Sequence, residues 1–331
     1  MSDTKITFQS QGRKLSGAVR VPDSVKPGEK RPAFIVMHGF GSNSNSSNVL
    51  EPCAMFEKLG YVTLRFDMPG CGESEGERGN LICLEQVQAA SDGLTFLTKH
   101  PNVEADRIGL IGSSFGAAIA VYTIGVDSRV AAAISSGGWG DGARKFRGQH
   151  PSAEAWKKFT DMLAEGKRHR EKTGKSLMVP RYDIVPIPEH LRGHLASNSI
   201  QMFTAETAQS MYDFRADDVI GKANGRPVLL LHSSVDKVTA DTAQSMYDFR
   251  AEDVIANIAP RPLLLLHIAN DTITPTEQSI EMFKRAGQPC DLHLFAETDH
   301  FMFAESNTRV RSVIYDWLDK YFPVQARAAA A

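Results

Sequence analysis

The chain has 331 residues, with 37 lysines and arginines against 39 aspartates and glutamates, and a formal net charge of -2. At 42% hydrophobic and 23% charged it has the composition of an ordinary globular protein, which excludes a disordered or membrane-embedded chain. The charge balance lacks the basic excess of a non-specific nucleic-acid or acidic-membrane binder. No apolar run approaches the ~18 residues of a membrane span. The opening residues 1–14 have neither the apolar core nor the small-residue cleavage site of a secretory signal. Cys53, Cys71, Cys83 and Cys290 are scattered without CxxC or metal-ligand spacing, so the expectation is reduced thiols in a cytoplasmic protein.

In chain order, residues 5–21 alternate well enough for an antiparallel hairpin at a sheet edge. Residues 33–38 read as a buried strand, and 51–59 as a helix carrying Met55, Phe56 and Leu59 and closing at Gly60. A strand at 61–66, a Pro- and Gly-rich loop at 67–72, and a helix at 84–97 with Val87, Leu94 and Leu97 on one side come next. Residues 107–112 form another strand, 115–124 a small-residue helix, and 130–134 a further strand. Short apolar runs alternating with helical patterns predict an α/β fold, a mostly parallel twisted sheet with helices on both faces. The first part of this core spans residues 1–136.

The pattern changes over 137–203. Residues 152–169 read as an amphipathic helix, the basic run from Lys167 to Lys175 as its solvated face, and Pro180, Pro186 and Pro188 punctuate an irregular stretch. Loops of this length are uncommon without a role, so the segment is expected to be a cap or lid over the sheet. The cap would then decide what fits, and it carries the aromatic residues Trp139, Phe146, Trp156 and Tyr182.

A tandem duplication follows. The run from Thr204 to Ala216 recurs from Thr239 to Ala251, and each copy continues through Asp-Val-Ile to Arg-Pro, a leucine-rich run, a histidine and an aspartate. The first cassette, 204–238, ends in Arg226-Pro, His232 and Asp236. The second, 239–273, ends in Arg261-Pro, His267 and Asp271. Two copies are too few for a solenoid, and near-identity of the helical parts suggests a recent or engineered event. The second core part is 239–331, including the second cassette. Only one leucine strand is expected to take the native slot in the sheet. The second copy should hold it, with the first an insertion between cap and sheet, because Asp271 and His300 leave room between them for one helix (276–286) and one strand (291–295); the alternative is that the first copy takes the slot and supplies Asp236.

Chemistry enters at Gly112-Ser113-Ser114-Phe115-Gly116, a G-x-S-x-G between a predicted strand and a predicted helix. A nucleophilic serine must project from a tight turn, and glycine on both sides relieves the clash. The frame selects Ser114, because Ser113 would need glycine where Ile111 stands. In His38-Gly39-Phe40-Gly41, after the first central strand, the N–H of Phe40 can join that of Phe115 in an oxyanion hole, aided by the helix dipole. His38 is expected to hold the loop. The base is His300, after strand 291–295, and His293 inside that strand is expected to be a packed or surface side chain. The acid is Asp271, with Asp236 the alternative.

The order Ser114, Asp271, His300, the His38–Gly41 segment and the loop from Asp67 to Gly76 resemble the α/β-hydrolase superfamily. Within it the chain is similar to capped serine hydrolases related to dienelactone hydrolases and to acyl-peptide or X-Pro-type peptidases. The resemblance implies a Ser-His-Asp triad, an acyl-enzyme and no metal or organic cofactor. It also implies a homodimer or higher homo-oligomer. The duplicated cassette departs from the family pattern, which has one such strand and one acid loop. The expected function is hydrolysis of a small carboxylic ester or related acyl compound, with no nucleic-acid or membrane partner. An amidase or peptidase with the same triad, and a scaffold whose site the duplication has impaired, are the alternatives. A haloalkane dehalogenase or epoxide hydrolase would need aspartate at 114.

Overall fold

The computed structural model describes residues 3–187, 189, 192, 195–196, 198–223, 225–231, 256, 259–260, 262–269, 276–297 and 308–324. Strands β1 (Thr4–Ser10) and β2 (Arg13–Arg20) form the expected antiparallel hairpin. Gln11 and Gly12, both at positive φ, make its turn, and that turn matches the twist of the flanking strands. Then come β3 (Arg31–Met37), α1 (Ser47–Lys58), β4 (Val62–Phe66), α2 (Cys83–Leu97), β5 (Val103–Ser113), α3 (Phe115–Val126) and β6 (Val130–Ser136). Helix α1 starts a turn before the expected Glu51, where the N–H groups of Val49 and Leu50 bond the Ser46 carbonyl.

Between β6 and the first cassette lie α4 (Gly142–Gln149), α5 (Ala153–Thr173), β7 (Met178–Pro180), α6 (Arg181–Ile184) and β8 (Met202–Thr204). Helix α5 is capped by the Ser152 hydroxyl and stops at Gly174. The first cassette supplies α7 (Ala205–Asp213), α8 (Asp217–Ile220) and β9 (Val228–Leu231), and the second supplies β10 (Leu263–Ile268). Helix α9 (Glu277–Arg285), β11 (Cys290–Phe295) and α10 (Thr308–Tyr321) follow.

The main sheet has the order β1-β2-β4-β3-β5-β6-β9. All neighbours from β4 to β9 are parallel, with β2 antiparallel to β4 at the hairpin edge. Successive residues of β3 serve opposite faces: Ile35 and Met37 join the core that includes α2 and α3, while Phe34 joins the core that includes α1 and α10. Phe34 stacks on Phe56 at 4.2 Å. Burial on both faces is why these strands read as continuous apolar runs rather than alternating ones. Helix α3, rich in alanine and glycine, lies close on the sheet and is buried along most of its length.

Both leucine strands are seated, and the first copy holds the place that was expected for the second. Strand β9 pairs in parallel with β6, from Ala133 opposite Val228 to Ser136 opposite Leu231. Strand β10 contacts β9 and pairs in parallel with β11. One leucine strand thus joins the main sheet, but it is that of the first copy; the expectation that the second copy holds the slot is overturned, and the second copy's strand stands in a separate two-stranded sheet with β11. Leu229 and Leu264 both reach 2% exposure in one shared core with Phe295, and each such burial is worth about 1.5–3 kcal/mol. Arg226 anchors the first copy, its Nη1 donating to the carbonyl of Asp127 (2.7 Å), just ahead of β6, and to that of Val130 (3.0 Å), its first residue.

Candidate active site

Strand β5 runs into the G-x-S-x-G turn, and Ser114 sits at its apex with φ 52° and ψ -108°. A non-glycine residue in such a conformation costs on the order of 1–3 kcal/mol and persists only where its surroundings enforce it. Here they do. A Cβ on Gly112 would fall 2.1 Å from the Gly116 carbonyl, and one on Gly116 would fall 2.6 Å from the His38 carbonyl oxygen. The turn is closed by Ser114 N–H donating to the Ser136 carbonyl at 2.8 Å and by Ala117 and Ala118 N–H bonding back to the Ser114 carbonyl. Ser114 is exposed while Phe115 is buried. Ser113, on the strand side, accepts from Asn48 Nδ2 at 3.4 Å.

The loop after β3 closes on this apex: a Cβ on Gly39 would lie 3.7 Å from Ser114 Cβ. The N–H groups of Phe40 and Phe115 have no hydrogen-bond acceptor among the described residues, and their rings lie 5.9 Å apart. Two unused N–H donors beside an exposed serine, one of them at a helix N-terminus, can receive a developing negative charge.

His38 is the loop-holding residue that the sequence suggests. It is buried, its Nδ1 lies 2.8 Å from the Gly39 carbonyl, and its Nε2 accepts from Met68 N–H at 3.1 Å. Accepting at Nε2 requires the Nδ1–H tautomer. Burial pulls its pKa below the usual imidazole range. Asp67 completes the support, one carboxylate oxygen accepting from Ser44 N–H at 2.6 Å and the other from Glu73 N–H at 2.8 Å. The Asp67–Gly76 loop is thus tied to the loop carrying Phe40.

Asp271, His300 and the alternative Asp236 lie outside the described residues, as do the loops that carry them. The strands leading to them are described: β9 ends beside β6, and β10 and β11 are paired neighbours. His293 is exposed on β11. His267, the histidine of the second copy, is buried, with Nδ1 2.6 Å from Ser279 Oγ. Burial raises the thiol pKa of Cys53 to about 11 and those of Cys71 and Cys83 to about 12, leaving these thiols protonated and weakly nucleophilic. No cluster of three or more His, Cys, Asp or Glu among the described residues is placed to hold a metal ion. No described helix is long and apolar enough to cross a membrane.

One buried side chain near the site had no signal in the sequence. Arg181, at the start of α6, donates to the Phe40 carbonyl at 2.6 Å. It stands alone in a proline-punctuated stretch without periodicity, so only the packed chain reveals its position.

A profile of the serine aminopeptidase S33 hydrolases matches residues 28–307. The chain belongs to that hydrolase family. Among curated relatives, an uncharacterized 31.7 kDa Escherichia coli protein from the traX-finO intergenic region is 30% identical over 177 residues, covering 53% of this chain and 59% of that one. The polyketide transferase af380 of Aspergillus fumigatus is 38% identical over 112 residues, covering 33% and 38%. The matched stretches thus span less than two thirds of either relative. Among solved structures, the α/β hydrolase GrgF from Penicillium superposes with a TM-score of 0.65 at 17% identity, over 97% of this chain and 99% of that one. The S33 hydrolase described here therefore has the α/β-hydrolase fold that its sequence resembles.

Proposed function

We propose that this S33-family hydrolase cleaves small carboxylic esters or related acyl compounds through an acyl-enzyme on Ser114. The observation that carries the reading is Ser114 itself, an exposed hydroxyl on an enforced turn beside two unused N–H donors. Ser114 Oγ attacks the carbonyl carbon while His300 takes its proton. The N–H groups of Phe40 and Phe115 receive the oxyanion. His300 then protonates the departing alkoxide, and water, activated by the same imidazole, frees the acid and restores Ser114. Asp271 holds the imidazole in the right tautomer. It is favoured over Asp236 because its strand, β10, is the hydrogen-bonded neighbour of β11, whose loop carries His300. The segment 137–203 is assigned as a cap that selects the acyl or alcohol group. Its hold on the loops around the site supports this, with Arg181 on Phe40 and Asn198 on Asn43.

The name of the matched family, serine aminopeptidase, favours amide cleavage as the second reading, with the same residues in the same roles. Acyl transfer is consistent with the polyketide transferase relative. A panel of p-nitrophenyl esters of rising chain length, together with aminoacyl anilides, separates these substrates. Ser114→Ala should lower p-nitrophenyl acetate turnover by about 10³-fold or more. Asp271→Asn should lower it by about 10²–10⁴-fold, while Asp236→Asn leaves it within about threefold. The reverse result for the two aspartates would assign the acid to the first cassette. Full turnover by Ser114→Ala would reject the mechanism.

A further inference from the structure

Arg181 is only 3% exposed. Nη2 donates to the Phe40 carbonyl at 2.6 Å and Nη1 to the Ile200 carbonyl at 2.7 Å. Among the described residues Nε has no hydrogen-bond partner and no Asp or Glu pairs with the guanidinium. Burying a cation without a carboxylate is unfavourable, so a neutral side chain would fill this space at lower cost.

The surroundings indicate what the arginine does. Phe40 and Phe203 stack at 4.1 Å, with the guanidinium carbon 5.1 Å from the Phe40 ring and 5.8 Å from the Phe203 ring. Gly41, the next residue along the loop, has φ +57°, and a Cβ there would fall 2.4 Å from Phe203 Cζ and 3.0 Å from Arg181 Nη1. Ile200 N–H donates to the Gly41 carbonyl at 2.9 Å, and Arg181 N–H to the Gln201 carbonyl at 2.8 Å. The backbone at Phe40 and Gly41 is thus moulded against Arg181 and the strand end it grips.

We propose that Arg181 is a positioning residue for hydrolysis: reaching out of the 137–203 segment, it holds the Phe40 carbonyl and so fixes the Phe40 backbone, keeping the N–H on the other side of that residue aimed at the carbonyl oxygen of an acyl group on Ser114. The same contact makes the segment over the site and the oxyanion loop a single mechanical unit. This inference rests on Ser114 as nucleophile and Phe40 as oxyanion donor.

The test is kcat and KM of Arg181→Lys and Arg181→Met on p-nitrophenyl acetate, with affinity for an alkyl boronic acid that forms a tetrahedral adduct on serine. Folding is checked by circular dichroism. Misaiming one oxyanion donor should lower kcat by about 10- to 100-fold in the Met variant, with KM within about threefold, and weaken the boronic acid in proportion. The Lys variant keeps the charge but not the two-carbonyl grip, so it should lose about 3- to 30-fold. If the Met variant does not fold, the Lys variant decides. A kcat within twofold of the parent in a folded variant, or a loss confined to KM, overturns the inference and leaves the Ser114 reading intact. A parent protein that forms no adduct at Ser114 overturns both.

Discussion

Ser114 and its two glycines show how local the G-x-S-x-G turn is. The clashes that require glycine at 112 and 116 are with atoms of the turn itself and of the end of β3, and the spacing can be read from five residues. Gly116→Ala would drive a methyl into the carbonyls of Met37 and His38, 2.7 and 2.6 Å away. Overpacking of this kind costs about 1–3 kcal/mol. Thermal unfolding should show that loss, and ester turnover should fall by more than the loss of folded protein explains. His38 makes a second prediction. Its pKa is lowered by burial from an ordinary 6.5. The folded state therefore resists protonation that the unfolded state accepts once pH falls below about 6.5. Its contribution is present above that pH and lost on acidification, so the unfolding midpoint should drop between pH 7.5 and 5, and less steeply in His38→Asn. His100 and His150, whose pKa values burial also lowers, add to the parent's slope in the same direction. Arg181 marks where reading residue by residue stops. Nothing within ten residues of it in the sequence reports its contact with Phe40, because the two meet only when a distant segment folds back over β3.

At the scale of elements, the central parallel strands were legible because burial on both faces makes each of them a short apolar run bounded by turn residues. Helix α10 was missed although Val310, Ile314, Trp317 and Leu318 form a helical stripe that is buried. The hairpin of β7 and β8 was also missed, since three-residue strands carry too little periodicity to register. The misplaced cassette has a different cause. The two leucine strands are nearly the same in composition, and spacing alone favoured the copy nearer His300. In the seated first copy Arg226 grips the carbonyls of Asp127 and Val130, but both copies carry this arginine, so the sequence holds no signal that tells them apart. Hydrogen bonds from a charged donor are worth about 1.5–3 kcal/mol. Arg226→Met should lower stability by about that amount, read from denaturant unfolding. Faster hydrogen exchange should follow in β9 and along its β6 partner, with the hairpin of β1 and β2 unaffected.

At the scale of the molecule, the main sheet ends at the strand of the first copy, and the strand of the second pairs with β11 in a separate two-stranded sheet. The β1 hairpin and the central strands pair only among themselves and with β9. A chain with residues 239–273 removed therefore tests the repeat directly. It should fold with the strand of the first copy against β11 and Asp236 as the acid, and its kcat/KM on p-nitrophenyl acetate should equal or exceed that of the parent. Loss of folding in the shortened chain would show that the second copy is structurally required.

The most direct test of the account is to treat the purified protein with a fluorophosphonate and locate the adduct by peptide mass spectrometry. The account predicts one stoichiometric adduct on Ser114, formed quickly and absent from Ser114→Ala. A principal adduct on another residue, or undiminished labelling of the Ser114→Ala protein, would contradict it.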